Sequence, residues 1–133
     1  SAASDVYKRQ IIGLVAAGSP TLAAENIEKT VHCPQNFFGN NFDYFLRVKG
    51  LSMKDAGIME DDLIAVQKTQ DIKNGDIVIA RIDDEVTVKY FERKSPEVVH
   101  LKPANEDFND IEIDLRETEI FIEGKSVGLI REN

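Results

Sequence analysis

Ile77-Val78-Ile79-Ala80-Arg81-Ile82-Asp83-Asp84-Glu85-Val86-Thr87-Val88-Lys89-Tyr90-Phe91 is two runs of β-branched and aromatic residues set about an acidic break. Such runs favour strands, and the break supplies turn residues, so the stretch reads as a β-hairpin. A metal-binding carboxylate cluster at Asp83-Asp84-Glu85 is the competing reading, and the flanking alternation favours the turn. Side chains alternate along a strand, so Val86, Val88 and Tyr90 share one face while Thr87, Lys89 and Phe91 share the other.

The same pattern recurs outward from this hairpin. Short apolar runs occupy Phe45 to Val48, Leu63 to Val66, Val98 to Leu101, Ile111 to Leu115, Ile120 to Ile122 and Val127 to Ile130. Asn74-Gly75, Ser95-Pro96 and Pro103-Ala104-Asn105 punctuate them, which predicts a mostly β, compact fold in a single domain over residues 11–133. The one helical signal is Ser52-Met53-Lys54-Asp55, a capping-box variant that predicts a short helix starting at Ser52 and ending by Gly57. Residues 1–10 are small and polar with no clear period, and read as a linker or an expression remnant.

Composition bounds the function. A chain of 133 residues that is 42% hydrophobic and 30% charged can bury about two thirds of its unfolded surface and is globular rather than disordered. No apolar run approaches the ~20 residues of a membrane span. A net charge of −8 argues against direct contact with nucleic acid, which needs basic patches that displace counterions. One cysteine and no secretory leader make a reducing cytoplasm the expected compartment.

Two residues carry possible chemistry. Ser52 has an ordinary reading as a helix cap; the same geometry would set its hydroxyl beside unpaired backbone N–H groups able to hold an oxyanion, and Gly50 would admit a substrate backbone. Lys89 reads most simply as a solvated strand residue. As a base it would have to lose its proton, which means disfavouring the charged form by roughly 4–5 kcal/mol to bring a pKa of about 10.4 near 7. Desolvation supplies that, with Phe91 and nearby aliphatics as candidates. A serine activated by a neutral lysine is a nucleophile without histidine. Ala16-Ala17-Gly18 is by itself an ordinary turn.

From about Ile12 to Arg131 the chain resembles the self-cleaving catalytic domain of the LexA repressor family. The segments that carry the resemblance are Gly13-Leu14-Val15-Ala16-Ala17-Gly18-Ser19-Pro20, Phe45 to Met59 around Lys49-Gly50-Leu51-Ser52-Met53, Asp76 to Lys89, and Ile122-Glu123-Gly124-Lys125-Ser126-Val127-Gly128-Leu129-Ile130-Arg131. The resemblance implies a β-rich fold, LexA-like and signal-peptidase-like, with a mobile cleavage loop. It implies Ser52 as nucleophile, Lys89 as general base, Ala17-Gly18 as the scissile bond, Ile12 and Val15 as apolar anchors of the loop, and the Met53 N–H as an oxyanion donor. It further implies a homodimer and, as co-protease, the RecA filament on single-stranded DNA. No cofactor and no metal are expected. The family's amino-terminal winged helix-turn-helix has no counterpart in residues 1–10, so this chain is not expected to bind operator DNA directly, and Leu51 departs mildly from many members. Two alternatives stay open: a self-processing DNA-damage protein of the UmuD type, which usually has cysteine where Ala17 stands, and a non-catalytic dimerisation module. Signal peptidases use a similar dyad but work at membranes.

The remaining constellations are weaker. His32 and Cys33 are adjacent and would point apart on a strand, and His100 is the only other histidine. The acidic stretch from Glu106 to Asp110 reads as a solvated loop.

Overall fold

The computed structural model describes residues 6–13, 21–34 and 36–133. Among the described residues nine strands form one sheet: β1 (Val6–Ile12), β2 (Ile27–Pro34), β3 (Tyr44–Arg47), β4 (Leu63–Gln67), β5 (Ile77–Ile82), β6 (Glu85–Arg93), β7 (Val98–Lys102), β8 (Ile111–Asp114) and β9 (Ile120–Ile130). Their order across the sheet is β2-β1-β3-β4-β9-β5-β6-β7-β8. Only β1 and β3 pair parallel, and every other pairing is antiparallel. β5 and β6 form the expected hairpin, from Ile77↔Tyr90 to Ile82↔Glu85, with Asp83 in the turn at φ 51°.

Three expectations are corrected. Residues 6–10 are not linker: they belong to β1, which is paired on both sides. Their polar character misleads because Arg9 is buried with its guanidinium 5.2 Å from the centre of the Phe42 ring, a placement in which an arginine packs as a hydrophobic stem. The helix expected from Ser52 is one 3₁₀ turn, Lys54–Ala56, capped from Met53 without a side-chain hydrogen bond and stopped by Gly57 at φ 80°. The runs Ile120 to Ile122 and Val127 to Ile130 are one strand. Gly124 between them is no turn: a Cβ there would collide with the Gln67 carbonyl, so the glycine marks a close backbone crossing.

β9 joins the two halves of the sheet. Its later residues pair with β4 and its earlier ones with β5, and Lys125 lies opposite both Gln67 and Val78. Three apolar clusters pack on the sheet. One gathers Ile12, Leu46, Val48, Met53, Ile58, Ile64 and Ile79; a second gathers Val78, Ala80, Phe91, Val99, Leu101 and Ile113; a third is built on Phe42 and Phe45. The first holds the segment around Ser52, because Met53 and Ile58 are its pegs into the core, each worth about 1.5–3 kcal/mol in burial.

Candidate active site

Ser52 sits in the connection between β3 and β4, which is fixed at both ends. The Val48 N–H donates to the Asp62 carbonyl and the Asp61 N–H returns to the Val48 carbonyl, at 2.8 and 2.9 Å. Gly50 at φ 80° turns the chain toward the serine; a Cβ there would meet nothing within 4 Å, so glycine serves the backbone angle rather than space. Buried Asp62 accepts two 2.7 Å hydrogen bonds from Arg131 and one from the Met59 N–H, while Arg131 also donates to the Gly57 carbonyl. The guanidinium holds the Asp62 carboxyl below the usual carboxylate range. From the other side, the Ala104 N–H donates to the Ser52 carbonyl at 2.8 Å.

Lys89 is not on a wet face. It is 7% exposed, and its Nζ lies 3.0 Å from Ser52 Oγ while also donating to Thr87 Oγ1. Burial lowers its pKa from the ordinary lysine value, because an ammonium loses hydration there and no carboxylate among the described residues offsets the loss. Thr87 and Lys89 meet because strand side chains two residues apart share a face. Phe91, two residues further, packs instead in the second cluster. A cleft of about 510 Å³ opens over the pair, with Gly13, Val48, Ser52, Thr87, Lys89 and Phe108 among its lining. β7 pairs with β6 only from Tyr90 to Arg93, so Glu85 to Lys89 present a backbone edge to this cleft without a partner strand among the described residues.

The structure brings Ser52, Lys89 and the Met53 backbone together. The Met53 carbonyl accepts from the Ala56 and Ile58 N–H groups, while its own N–H meets no acceptor among the described residues. Ile12 is fully buried at the end of β1, opposite Leu46. Val15, Ala17 and Gly18 lie outside the described residues. Gly13, the last described residue before them, lines the cleft, and the four residues from there to Ala17 can span at most about 14 Å. His32 and Cys33 occupy successive positions of β2, one exposed and one half-buried against the Phe42 cluster, where burial pushes the thiol up. Sequence reasoning did not single out Thr87 or Asn105. Thr87 was legible as the neighbour of Lys89 on its own face; the role of Asn105 rests on a contact 54 residues away in the chain.

Residues 10–127 match the family model described as Peptidase S24-like. The chain is 59% identical over 122 residues to a LexA repressor of Marinomonas sp., covering 92% of this chain and 58% of that protein. LexA repressors of Teredinibacter turnerae and Hahella chejuensis are each 56% identical, over 91% of this chain and 61% and 60% of their own lengths. The chain thus spans about three fifths of the curated relatives it matches.

Proposed function

The chain belongs to the S24-like peptidase family, and from that premise we propose that it is the self-cleaving domain of a LexA-type repressor of the SOS response. The observation that carries the reading is the 3.0 Å approach of Ser52 Oγ to a lysine amine that is 7% exposed and faces no carboxylate. In the deprotonated state Lys89 Nζ takes the proton of Ser52 as Oγ attacks the carbonyl carbon of Ala17. Thr87 Oγ1 accepts one of the amine N–H bonds, which leaves the lone pair directed at the serine. The carbonyl oxygen becomes an oxyanion and accepts from the Met53 N–H. The Lys89 ammonium returns its proton to the Gly18 nitrogen, the C–N bond breaks, and Ala17 remains as an ester on Ser52. Water then attacks the ester carbon and gives a proton to Lys89; the bond from that carbon to Ser52 Oγ breaks, Lys89 returns the proton to Oγ, and Ala17 leaves as a free carboxyl terminus.

Ile12, buried at the end of β1, would anchor the entry to the cleavage segment, with Val15 proposed as a second apolar anchor. The open edge of β6 supports this geometry, since an extended segment can add to it as a strand. Small residues at Ala17-Gly18 let the backbone reach the serine. The parent protein would bind operator DNA through a part not present in this chain, act as a homodimer in the cytoplasm, and be cleaved when a RecA filament on single-stranded DNA favours the docked state of the loop. No helix among the described residues is long and apolar enough to cross a membrane.

Incubation at alkaline pH tests the reading. Intact-mass measurement should find the 133-residue chain split after Ala17, faster as pH rises because more Lys89 is neutral. Ser52→Ala and Lys89→Ala should abolish the split, and fragments that persist in either variant would overturn the dyad.

A further inference from the structure

The connection between β7 and β8 reaches across to the nucleophile segment. Asn105 is buried, 7% exposed, and its Nδ2 donates to the Leu51 carbonyl at 2.8 Å while its Oδ1 accepts the Asp107 N–H at 2.9 Å. Next to it, the Ala104 N–H donates to the Ser52 carbonyl and the Ala104 carbonyl accepts the Asp55 N–H, both at 2.8 Å. Two successive carbonyls, those of Leu51 and Ser52, therefore point into this connection.

Peptide geometry sets the consequence. In a trans peptide the carbonyl oxygen and the following N–H point in opposite directions, and no peptide bond among the described residues is cis. Holding the Leu51 oxygen toward Asn105 turns the Ser52 N–H away from it, and holding the Ser52 oxygen toward Ala104 does the same for the Met53 N–H. Neither N–H meets an acceptor among the described residues. Two unpaired donors turned the same way beside a hydroxyl are what a developing oxyanion requires. A loop staple alone would need only the Oδ1 bond to Asp107. The carboxamide's other end spends a buried donor on a carbonyl next to the serine, which ties the nucleophile segment rather than the loop.

We infer that Asn105 is a positioning residue, which on the proposed function aims the Ser52 N–H at the acyl oxygen by fixing the Leu51–Ser52 peptide plane. It touches neither substrate nor the reacting atoms. The Leu51 carbonyl also accepts the Lys54 N–H at 3.2 Å, and the shorter, buried bond from Asn105 adds to that one in restricting the rotation of the plane, so that the donor needs less reorganisation when charge develops.

The test is Asn105→Asp in the full chain. The aspartate keeps an acceptor for the Asp107 N–H but places an acceptor against the Leu51 carbonyl, so the loop bond survives and the nucleophile bond is lost. Two rates are read at the high-pH plateau: self-cleavage, and phosphorylation of Ser52 by diisopropyl fluorophosphate with loss of fluoride, which needs the serine and its donors but no docked cleavage segment. Both should fall together by about 10- to 100-fold, less than the ~10²–10³ seen when an oxyanion donor is removed outright. Asn105→Ala, assayed below its own Tm, should lower the plateau similarly and leave the midpoint of the pH–rate curve unmoved, because Lys89 is untouched. Self-cleavage that falls while phosphorylation by the fluorophosphate holds would make Asn105 a loop-docking residue and overturn the inference. Rates within twofold of the parent in both variants would also overturn it. If cleavage survives Ser52→Ala, the proposed function falls and this inference with it; if cleavage depends on Ser52 but ignores Asn105, only this inference falls.

Discussion

β6 carries Lys89 in the stretch that lines the cleft and Glu92 in the stretch that pairs with β7, and the two ends of the strand so divided handle charge in opposite ways. At the cleft end, Lys89 is buried with two hydroxyl partners and no carboxylate, and its pKa is lowered by desolvation. At the far end, Glu92 is flanked by Lys94 at 2.7 Å and Lys102 at 2.6 Å; their hydrogen bonds pull its carboxyl down to about 2, and it raises the pKa of Lys102 in return. Lys89 and Lys102 have the same side chain in neighbouring strands of one sheet. What separates the proposed base from a spectator is the absence, among the described residues, of a counter-ion in a dry place, and alternation along the strand does not reveal it.

The strongest way to break this contrast is to make the cleft cation permanent. Lys89→Arg keeps a charge that cannot be lost at accessible pH, so alkaline self-cleavage should fall by at least ~10³-fold, read by intact mass. Converting the cleft end to the pattern of the far end is the next test. Thr87→Asp puts a carboxylate at Nζ and should raise the Lys89 pKa; the neutral fraction falls tenfold per unit, so cleavage near neutral pH should drop ~10–100-fold while the alkaline plateau recovers. A midpoint that does not move would show that desolvation at Nζ does not set the base.

Stability offers a smaller readout. The unfolded chain titrates Lys89 near the ordinary value and the folded chain lower, so between the two the unfolded state holds the extra proton. Stability from this group therefore rises with pH through that window, and the burial penalty is present in full below the folded pKa. Lys89→Met should remove that slope and stabilise the chain most at neutral and lower pH, by ~1.4 kcal/mol for each unit of depression, measured by urea unfolding at several pH values. The least effect belongs to the far end. Glu92→Gln should leave self-cleavage unchanged and Tm unmoved at 0.15 M salt, because exposed pairs are screened.

Legibility followed the physics of each segment. β5, β6 and their turn are plain in the sequence because β-branched runs flank aspartates that accept a tight turn. β1 is not, because Lys8-Arg9-Gln10 looks solvated and only the tertiary contact of Arg9 with Phe42 makes the position a packed one. β2 is an edge strand whose exposed Glu28, Lys29, Thr30 and His32 hide its few packed positions. The sequence placed Thr87 and Lys89 on one face, but the depth of Lys89 depends on where β7 stops pairing and how the Ser52 segment folds over it. Ser52 read as a cap because the local pattern fits one; in the fold, the hydroxyl is drawn to Lys89 and the turn starts two residues later.

The shared strand β9 sets an order of events as the chain is made. β4 and β5 do not pair with each other; the half of the sheet that carries Ser52 and the half that carries Lys89 meet in the sheet only through residues 120–130, which follow both. A growing chain emerging amino terminus first can build either half as a local unit, and the strand that joins the Ser52 half to the Lys89 half within the sheet leaves the ribosome after both. On the proposed function, synthesis would thus impose its own delay, the calendar of translation holding back the last join of a chain that cuts itself.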